Sequence, residues 1–429
     1  MARPRRIPPK SGGSPGPAPS SFKTALVLAG GAARGSYEVG ILDHILTHVA
    51  KDLEASPRLD VLCGTSVGAI NACVLAAYLD DPAFCVKVLL DEWQGLRLEE
   101  LVRPNLRELA SLLRAMVGRN AQSESSSSTR HGGLLDPEGI ERIVGRAIPF
   151  DRIGRHIASG LLTGLSISTT HVATGRTFIF VQHGPGAQPK WSRDPTITVV
   201  STPIRAEHAL ASAALPLLFP SVRIEADYYC DGGLRQNVPL SPARRLGADG
   251  MIVVNPRFIA PPTLPAKAAA GYPGLLFLAG KALNALLLDR IDNDLDRLQR
   301  INAILDAGTK SFGPGFVAEL NQAMPGSGAS RGVRPLRIVH VRASEDIGAM
   351  AGEYVRSPEF ARRNPGLLGR ALRRISEWQG EGEADLLSYL LFDGGFAAQL
   401  IELGRKDARA RHDELCAFFA RSREPASAG

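Results

Sequence analysis

Cysteine is scarce in this sequence, and its few copies are not spaced as a disulfide framework would require. Among the 429 residues there are five: Cys63, Cys73, Cys85, Cys230 and Cys416. An odd number of cysteines scattered through apolar stretches argues against a set of structural disulfides. We therefore expect the protein to work in a reducing compartment, the cytoplasm.

Long apolar runs are also missing. A membrane-spanning helix needs about 18 or more predominantly apolar residues in succession, and the uncharged stretch 61–79 is interrupted by Gly64, Thr65, Ser66, Gly68 and Asn71. The basic N-terminus is not followed by the apolar segment of a secretory signal peptide. We expect no transmembrane helix and at most peripheral contact with a membrane.

Acidic residues are absent before Glu38, whereas basic residues are not. Residues 1–22 are rich in Pro, Gly and Ser, a composition that predicts a disordered basic tail. The tail supplies more than half of the formal net charge of +7 through Arg3, Arg5, Arg6 and Lys10. Because the remainder is weakly basic, we predict no nucleic-acid partner; an anionic membrane surface suits the charge equally well.

Apolar runs that end in glycine alternate with helical patterns near the start of the chain. Residues 23–30 and 58–64 are short apolar runs that predict strands buried on both faces. Each is followed by a segment with helical spacing, residues 36–53 and 69–79. This repeated order of strand, glycine turn and helix indicates a parallel sheet flanked by helices, and therefore an α/β fold.

Ser66 lies between two glycines at the second junction of strand and helix. The pentapeptide Gly64-Thr65-Ser66-Val67-Gly68 fits the G-x-S-x-G pattern of a nucleophile elbow. Glycines two places on either side avoid a collision between the sharp turn and its neighbours. The helix N-terminus then directs N–H groups and positive dipole towards the serine. The pattern favours a nucleophilic serine in a reaction that develops negative charge on oxygen.

A glycine-rich loop follows the first predicted strand: Gly30-Gly31-Ala32-Ala33-Arg34-Gly35. Consecutive backbone N–H groups at a helix start are suited to hold an oxyanion beside the serine. Similar glycine spacing also occurs in dinucleotide-binding loops. That alternative is weakened because Ala32 replaces the middle glycine and because the second strand ends in Cys63-Gly64-Thr65, without an acidic ribose ligand.

No histidine stands where a serine hydrolase triad would need one. In the chain order Ser, Asp, His, the base follows the acid, and only His340 and His412 lie late in the sequence. The first lies inside a predicted strand and the second in an arginine-rich helix, so we interpret both as structural. Nothing local marks His171 or His208 as a base.

An aspartate is better placed to act as the base. Asp231-Gly232-Gly233 follows a strand-like segment and precedes a loop, so the carboxylate is expected at the sheet edge where the serine emerges. A shielded carboxylate within hydrogen-bond reach serves as a general base. The same tripeptide recurs as Asp393-Gly394-Gly395 in helical surroundings, where we predict a helix junction without chemistry.

Four features now follow one another along the chain: the glycine-rich loop, the serine elbow, the segment Ser212–Ile224 and the first Asp-Gly-Gly. Together they resemble the patatin-like phospholipases, a family with a Ser-Asp dyad, a G-G-G-x-[KR]-G loop, a G-x-S-x-G elbow and a D-G-[GA] motif. The resemblance runs from about residue 23 to about residue 255. It departs from the family at Ala32, which keeps a backbone donor only if alanine adopts the angles of glycine.

The resemblance implies a three-layer α/β/α sandwich with a mostly parallel central sheet and a C-terminal helical extension. By position it makes Ser66 the nucleophile, Asp231 the base and residues 30–35 the oxyanion donors. It implies hydrolysis of phospholipids or other acyl-ester lipids through an acyl-serine, with no metal and no cofactor. Two alternatives stay open: an esterase or thioesterase acting on soluble acyl substrates with the same dyad, and a degenerate lipid-binding protein.

We predict three parts: the tail 1–22, a catalytic domain 23–257 and a mainly helical extension 258–429, from which residues 335–343 return as a strand of the core sheet. The Ser-rich stretch 119–133 predicts a mobile surface loop. The apolar stretch 274–298 fits a core helix, with a lid or membrane-lying helix as the alternative. A basic cluster fits a solvated helix face or a contact with lipid head groups: Arg362, Arg363, Arg370, Arg373 and Arg374.

Overall fold

The computed structural model describes residues 22–101, 137–185, 194–216, 218–236, 238–259, 291–324, 332–378 and 384–421. Its strands are β1 (Thr24–Leu28), β2 (Val61–Thr65), β3 (Gly164–His171), β4 (Thr177–His183), β5 (Ile197–Ser201), β6 (Val222–Ile224), β7 (Asp227–Asp231), β8 (Gly250–Asn255) and β9 (Arg337–Arg342).

The helices of the first half are α1 (Ser36–His44), α2 (Ala50–Asp52), α3 (Val67–Ala77), α4 (Pro82–Gln94), α5 (Leu98–Leu101), α6 (Glu138–Ala147), α7 (Phe150–Ala158), α8 (Ala206–Ala213), α9 (Gly233–Gln236) and α10 (Leu240–Arg245). A 3-10 turn, Ala32–Gly35, precedes α1, and a π-helical turn, Ile45–Val49, joins α1 to α2. The later helices are α11 (Ile291–Phe312), α12 (Phe316–Ala323), α13 (Ile347–Arg356), α14 (Pro358–Arg363), α15 (Leu367–Trp378), α16 (Ala384–Leu390), α17 (Gly394–Ala410) and α18 (His412–Arg421).

The described strands form one sheet in the order β5-β4-β3-β2-β1-β8-β9, with β6 and β7 added beside β3. The pairs β1–β2, β1–β8, β2–β3, β8–β9 and β4–β5 are parallel. The pairs β3–β4, β3–β7 and β6–β7 are antiparallel. The predicted mostly parallel α/β sheet is confirmed.

Strand β1 explains why helices cover both faces of the sheet. Successive side chains of a strand point to opposite faces. Leu26 and Leu28 belong to one buried apolar cluster, together with residues of α1, α3 and α17. Ala25 and Val27 belong to a second cluster, which includes residues of α10 and α11. Because both faces are apolar, each needs its own helical layer, and the predicted three-layer arrangement is confirmed.

The C-terminal helices pack into this core. Helix α17 lies against α1 at two glycines, where a Cβ on Gly40 would stand 2.0 Å from the Ile401 carbonyl oxygen and one on Gly404 would stand 2.2 Å from that of Tyr37. The Tyr37 hydroxyl donates to Asp407 at 2.9 Å. Strand β9 pairs with β8 in the main sheet. The division of the chain into a catalytic domain and an extension stays a prediction.

Several sequence predictions concern residues outside the described ranges: the tail up to residue 21, the loop 119–133 and the apolar residues 274–290. At the end of that apolar stretch, Leu295 and Leu298 belong to the second apolar cluster. Within the described ranges, no helix combines the length and the apolar composition needed to cross a bilayer. Four arginines of the basic cluster are exposed on α14 and α15: Arg362, Arg363, Arg370 and Arg374.

Candidate active site

Ser66 occupies a strained turn between β2 and α3. Its φ of +55° lies in the left-handed region, which L-residues other than glycine seldom adopt. The flanking glycines let the turn close. A Cβ on Gly64 would stand 2.4 Å from the Gly68 carbonyl oxygen, and one on Gly68 would stand 2.6 Å from the Ala29 carbonyl oxygen. The elbow thus holds the Ser66 hydroxyl out of the sheet, beside the glycine-rich loop.

Strand β3 brings Asp231 to this turn. Its Ser168 pairs with Thr65, the last residue of β2, and its next residue, Thr169, pairs with Asp231, the last residue of β7. The ends of β2 and β7 therefore pair with consecutive residues of β3. Ser66 Oγ lies 2.5 Å from Asp231 Oδ2 and donates a hydrogen bond to it.

The segment Ser212–Ala214 ties the two residues together through their backbones. The Ser66 N–H donates to Ser212 Oγ at 2.8 Å, and Ser212 Oγ donates in turn to the Ser168 carbonyl at 2.7 Å. The Asp231 N–H donates to the Ala214 carbonyl at 2.9 Å. The segment was noted in the sequence, but the positioning contact of Ser212 was not predicted, because a partner 146 residues away leaves no local spacing.

The environment of Asp231 shifts the titration of its carboxyl towards neutrality. Burial raises the pKa of its carboxyl to about 7, against hydrogen bonds from Ser66 and from the Gly233 N–H that lower it. The Gly233 N–H donates to Oδ1 at 2.7 Å, which leaves Oδ2 to the serine. Gly232 must lack a side chain, since a Cβ there would stand 2.2 Å from the Ser168 carbonyl oxygen.

The glycine-rich loop lies beside the elbow. Gly31 precedes the 3-10 turn, and a Cβ on Gly35 would stand 2.6 Å from Val67. Asn71 of α3 fixes the loop end by donating to the Gly35 carbonyl at 3.1 Å and to Glu38 at 2.8 Å. Its amide oxygen accepts from Trp93 Nε1 at 3.1 Å.

Ala32, the departure from the family pattern, adopts a glycine-like conformation. Its φ is +48°, which costs an L-residue roughly 1–2 kcal/mol. The alanine therefore meets the condition set by the resemblance, at the cost of local strain. Ala33 and Arg34 follow in the same turn, and both are buried.

The histidines weighed as bases contact other residues. His171 Nδ1 lies 2.8 Å from the Thr174 hydroxyl, His208 accepts from the Arg205 N–H, and His412 lies 3.0 Å from His44. His340 lies within β9. Within the described ranges, no group of three or more His, Cys, Asp or Glu side chains is arranged to hold a metal ion.

A cavity begins beside the elbow, at the residue that follows Ser66. It runs between α3, α4 and α6, and its wall is apolar except for Asn71 and Glu92. The apolar lining includes Val67, Ile70, Val74, Leu89, Trp93 and Ile143. Such a wall suits a hydrocarbon chain, because it offers van der Waals contact and few hydrogen-bond partners.

The sequence of this chain is similar to those of known proteins. A family model described as patatin-like phospholipase matches residues 26–244. A cGAMP-activated phospholipase of Pseudomonas aeruginosa (strain BWHPSA011 / Pa011) is 28% identical over 214 residues, which cover 50% of this chain and 53% of the relative. A cGAMP-activated phospholipase of Escherichia coli (strain TW11681) is 27% identical over 222 residues, covering 50% and 52%. The chain spans about half the length of these curated relatives.

The crystal structure of VipD from Legionella pneumophila aligns with 89% of this chain and 67% of its own, at 13% identity and a TM-score of 0.28. The family match, in contrast, covers more than half of the chain and includes the glycine-rich loop, the Ser66 elbow and Asp231. The chain belongs to the patatin-like phospholipase family, a family of hydrolases that act on ester bonds.

Proposed function

We propose that the protein is a lipid acyl hydrolase of the phospholipase A or lysophospholipase type, in which Ser66 is the nucleophile and Asp231 its base. The observation that carries the proposal is the 2.5 Å hydrogen bond between the two side chains inside a buried site. Proximity of nucleophile and base, with the base shielded from water, is the arrangement that acyl transfer requires.

The proposed reaction uses the dyad twice. Ionised Asp231 accepts the Ser66 proton while Oγ attacks the ester carbonyl, and N–H groups of residues 30–35 receive the oxyanion. Losing one such donor typically costs about 10²–10³ in rate. The tetrahedral intermediate collapses to acyl-Ser66, and the leaving alcohol takes the proton from Asp231. Water, activated by the same carboxylate, then hydrolyses the acyl-enzyme and releases the fatty acid.

The apolar cavity supports a lipid acyl group as substrate. It begins at Val67, directly after the nucleophile, so an acyl chain whose carbonyl lies at Ser66 has an apolar space beside it. Fully burying each methylene contributes about 0.8 kcal/mol, and longer chains should therefore bind more tightly until the cavity is full. Peripheral contact with a phospholipid surface is part of the proposal, because the substrate resides there.

An esterase or thioesterase of soluble acyl substrates is the second candidate, since the same pair of side chains could cleave soluble esters as well as lipid esters. A degenerate lipid-binding protein is the third; it would leave Ser66 unlabelled by a fluorophosphonate probe. Comparing lipids in vesicles with dissolved esters separates a lipid hydrolase from an esterase of soluble substrates. Covalent labelling of Ser66 separates both enzymes from a lipid-binding protein.

The testing experiment measures free fatty acid released from mixed phospholipid vesicles, with p-nitrophenyl esters of increasing chain length alongside. Wild type, Ser66→Ala and Asp231→Asn are compared, and Asp393→Asn is the matched control because it makes the same substitution in the other Asp-Gly-Gly. Because both curated relatives are named cGAMP-activated, each assay is run with and without cGAMP, so that an enzyme awaiting an activator is not taken for an inactive protein.

We expect Ser66→Ala and Asp231→Asn to lose vesicle hydrolysis, by roughly 10²–10⁴ for the base, while Asp393→Asn retains it. Cleavage of p-nitrophenyl esters without vesicle hydrolysis would move the substrate to soluble esters. Activity that survives in Ser66→Ala would exclude the mechanism.

A further inference from the structure

Arg34, the basic residue of the glycine-rich loop, points away from solvent into the C-terminal half of the chain. Its side chain is only 4% exposed. Nε donates to Ser388 Oγ at 2.8 Å, and Nη2 lies 3.4 Å from Asp385 Oδ1. The guanidinium carbon stands 4.1 Å from the centre of the Tyr389 ring. All three partners lie on one short helix, α16.

Helix α16 also contacts the loop and the dyad segment by apolar packing. Tyr389 is fully buried in a small cluster with Leu215 and Phe219, against which Ala32 packs. Leu215 follows Ala214, the residue that accepts the Asp231 N–H. One face of α16 thus touches the strained residue of the loop and the segment that supports the base.

The contacts of Arg34 with α16 suit a guanidinium. Arginine offers a planar group that stacks on an aromatic ring while several N–H groups bond in the same plane, whereas lysine offers one compact ammonium and no planar group. Helix α16 also packs against α13, where a Cβ on Gly348 would stand 2.6 Å from Asp385 Oδ1. The oxygen that faces Arg34 therefore lies in close contact with α13 as well.

We infer that α16 positions the oxyanion loop through Arg34, so that Arg34 and Ser388 are positioning residues for the reaction proposed above, on which this inference rests. Arg34 holds the loop in the conformation that Ala32 adopts at φ +48°. We assign the guanidinium to α16, with which it makes its observed contacts, and to neither the substrate carbonyl nor a lipid phosphate. Helix α16, which lies outside the family match of residues 26–244, thereby supports the oxyanion loop.

A head-group role for Arg34 makes a different prediction. An arginine that binds a lipid phosphate raises affinity only for substrates that carry one, whereas an arginine that aligns N–H donors raises the rate for every ester. p-Nitrophenyl butyrate carries no phosphate, so it separates the two roles when it is compared with phosphatidylglycerol vesicles.

The experiment measures kcat and KM of Arg34→Met, Arg34→Lys and Ser388→Ala on both substrates, with thermal unfolding of each variant. Ser388→Ala removes a single oxygen, so it provides a folded variant if Arg34→Met fails to fold. Arg405→Met is the matched control, because Arg405 joins the C-terminal helices to Asp43 of α1 at 2.5 Å, away from the loop.

We expect kcat to fall about tenfold or more in Arg34→Met and Ser388→Ala on both substrates, since small misplacements of catalytic groups cost up to about 10² in rate. KM should change less than about twofold, Arg34→Lys should rescue little, and Arg405→Met should keep wild-type kcat. The inference is overturned if Arg34→Met keeps kcat on p-nitrophenyl butyrate or loses activity only on vesicles.

Ser66→Ala, run in the same assays, separates the two proposals. If it is active, the proposed function fails whatever Arg34 does. If it is inactive while Arg34→Met and Ser388→Ala keep wild-type kcat, only the role of α16 fails.

Discussion

Two identical tripeptides in this chain have different surroundings. Asp231-Gly232-Gly233 ends β7, and its carboxyl accepts from the Ser66 hydroxyl and one backbone N–H. Asp393-Gly394-Gly395 begins α17, and its carboxyl accepts from two backbone N–H groups, Gly395 and Phe396, at 2.9 and 3.3 Å. It also accepts from Tyr354 and Asn364 and pairs with Arg363. Both aspartates are buried.

The two aspartates differ in the residues that donate hydrogen bonds to them. Every partner of Asp393 belongs to the scaffold, so the carboxylate is an N-cap that stabilises a helix start. The side-chain partner of Asp231 is the hydroxyl of Ser66, which stands at the elbow beside the apolar cavity, and burial raises the pKa of the carboxyl towards neutrality. The environment that the fold gives each aspartate therefore determines its role, and the Asp-Gly-Gly sequence alone does not.

Replacing a glycine in each tripeptide should give the largest difference in kcat. Gly232→Ala would push a Cβ against the Ser168 carbonyl, which accepts from the Ser212 hydroxyl that holds the Ser66 N–H. We expect kcat on a p-nitrophenyl ester to fall about a hundredfold. Gly395→Ala meets the Tyr354 hydroxyl at 2.1 Å and should lower thermal stability while specific activity is kept. Equal activity losses in the two variants would contradict the assignment.

Replacing the two aspartates should change the free energy of unfolding in opposite directions. Because the pKa of Asp231 is raised in the folded state, the folded protein binds more protons than the unfolded chain between about pH 4 and 7, and stability falls as pH rises through that window. Relative to wild type, Asp231→Asn should therefore gain on the order of 2–3 kcal/mol in unfolding free energy between pH 5 and pH 8.

Asp393→Ala should instead lose about 2–4 kcal/mol at both pH values, through the lost cap and the buried partners left unsatisfied. Urea unfolding at pH 5 and pH 8 measures both variants. A gain in stability for Asp393→Ala at pH 8 would show that the two sites are not different in kind.

The pH dependence of kcat/KM should reflect the ionisation of Asp231 and not that of Asp393. Asp231 must be ionised to accept the serine proton, so kcat/KM should fall about tenfold for each pH unit below about 7. Asp393→Asn should leave that limb in place. A wild-type limb near pH 4, typical of an exposed aspartate, would remove the buried carboxylate from the mechanism.

The sequence was informative where chemistry imposes local spacing. Gly64 is required by a contact with Gly68, four residues further on, whereas Gly68 is required by its close approach to Ala29 beyond β1. The two glycines lie near the end of β2 and in the first turn of α3, on either side of Ser66. The two Asp-Gly-Gly tripeptides could be told apart because apolar strand residues precede the first and a helical pattern surrounds the second. The helix junction at Asp393 was predicted and is confirmed by its N-cap geometry.

Contacts between distant segments could not be predicted. Arg34 and Ser388 are 354 residues apart, and nothing in the spacing of either segment indicates that they touch. The role of Ser212 was missed for the same reason. Loop residues 30–35 were located from their pattern, but the strain at Ala32 required the backbone angles themselves.

The shared use of β3 has one more consequence. Ser66 and Asp231 are 165 residues apart in the chain, yet their separation in space depends on the pairing of two consecutive residues, Ser168 and Thr169. Segments between Ser66 and Asp231 that contact neither residue can therefore change in length without altering this separation, provided that β3 keeps its register and Ser212–Ala214 keeps its contacts. A slip of one residue would turn Asp231 to the opposite face of the sheet, so the chain between the two residues is constrained at β3 and at Ser212–Ala214.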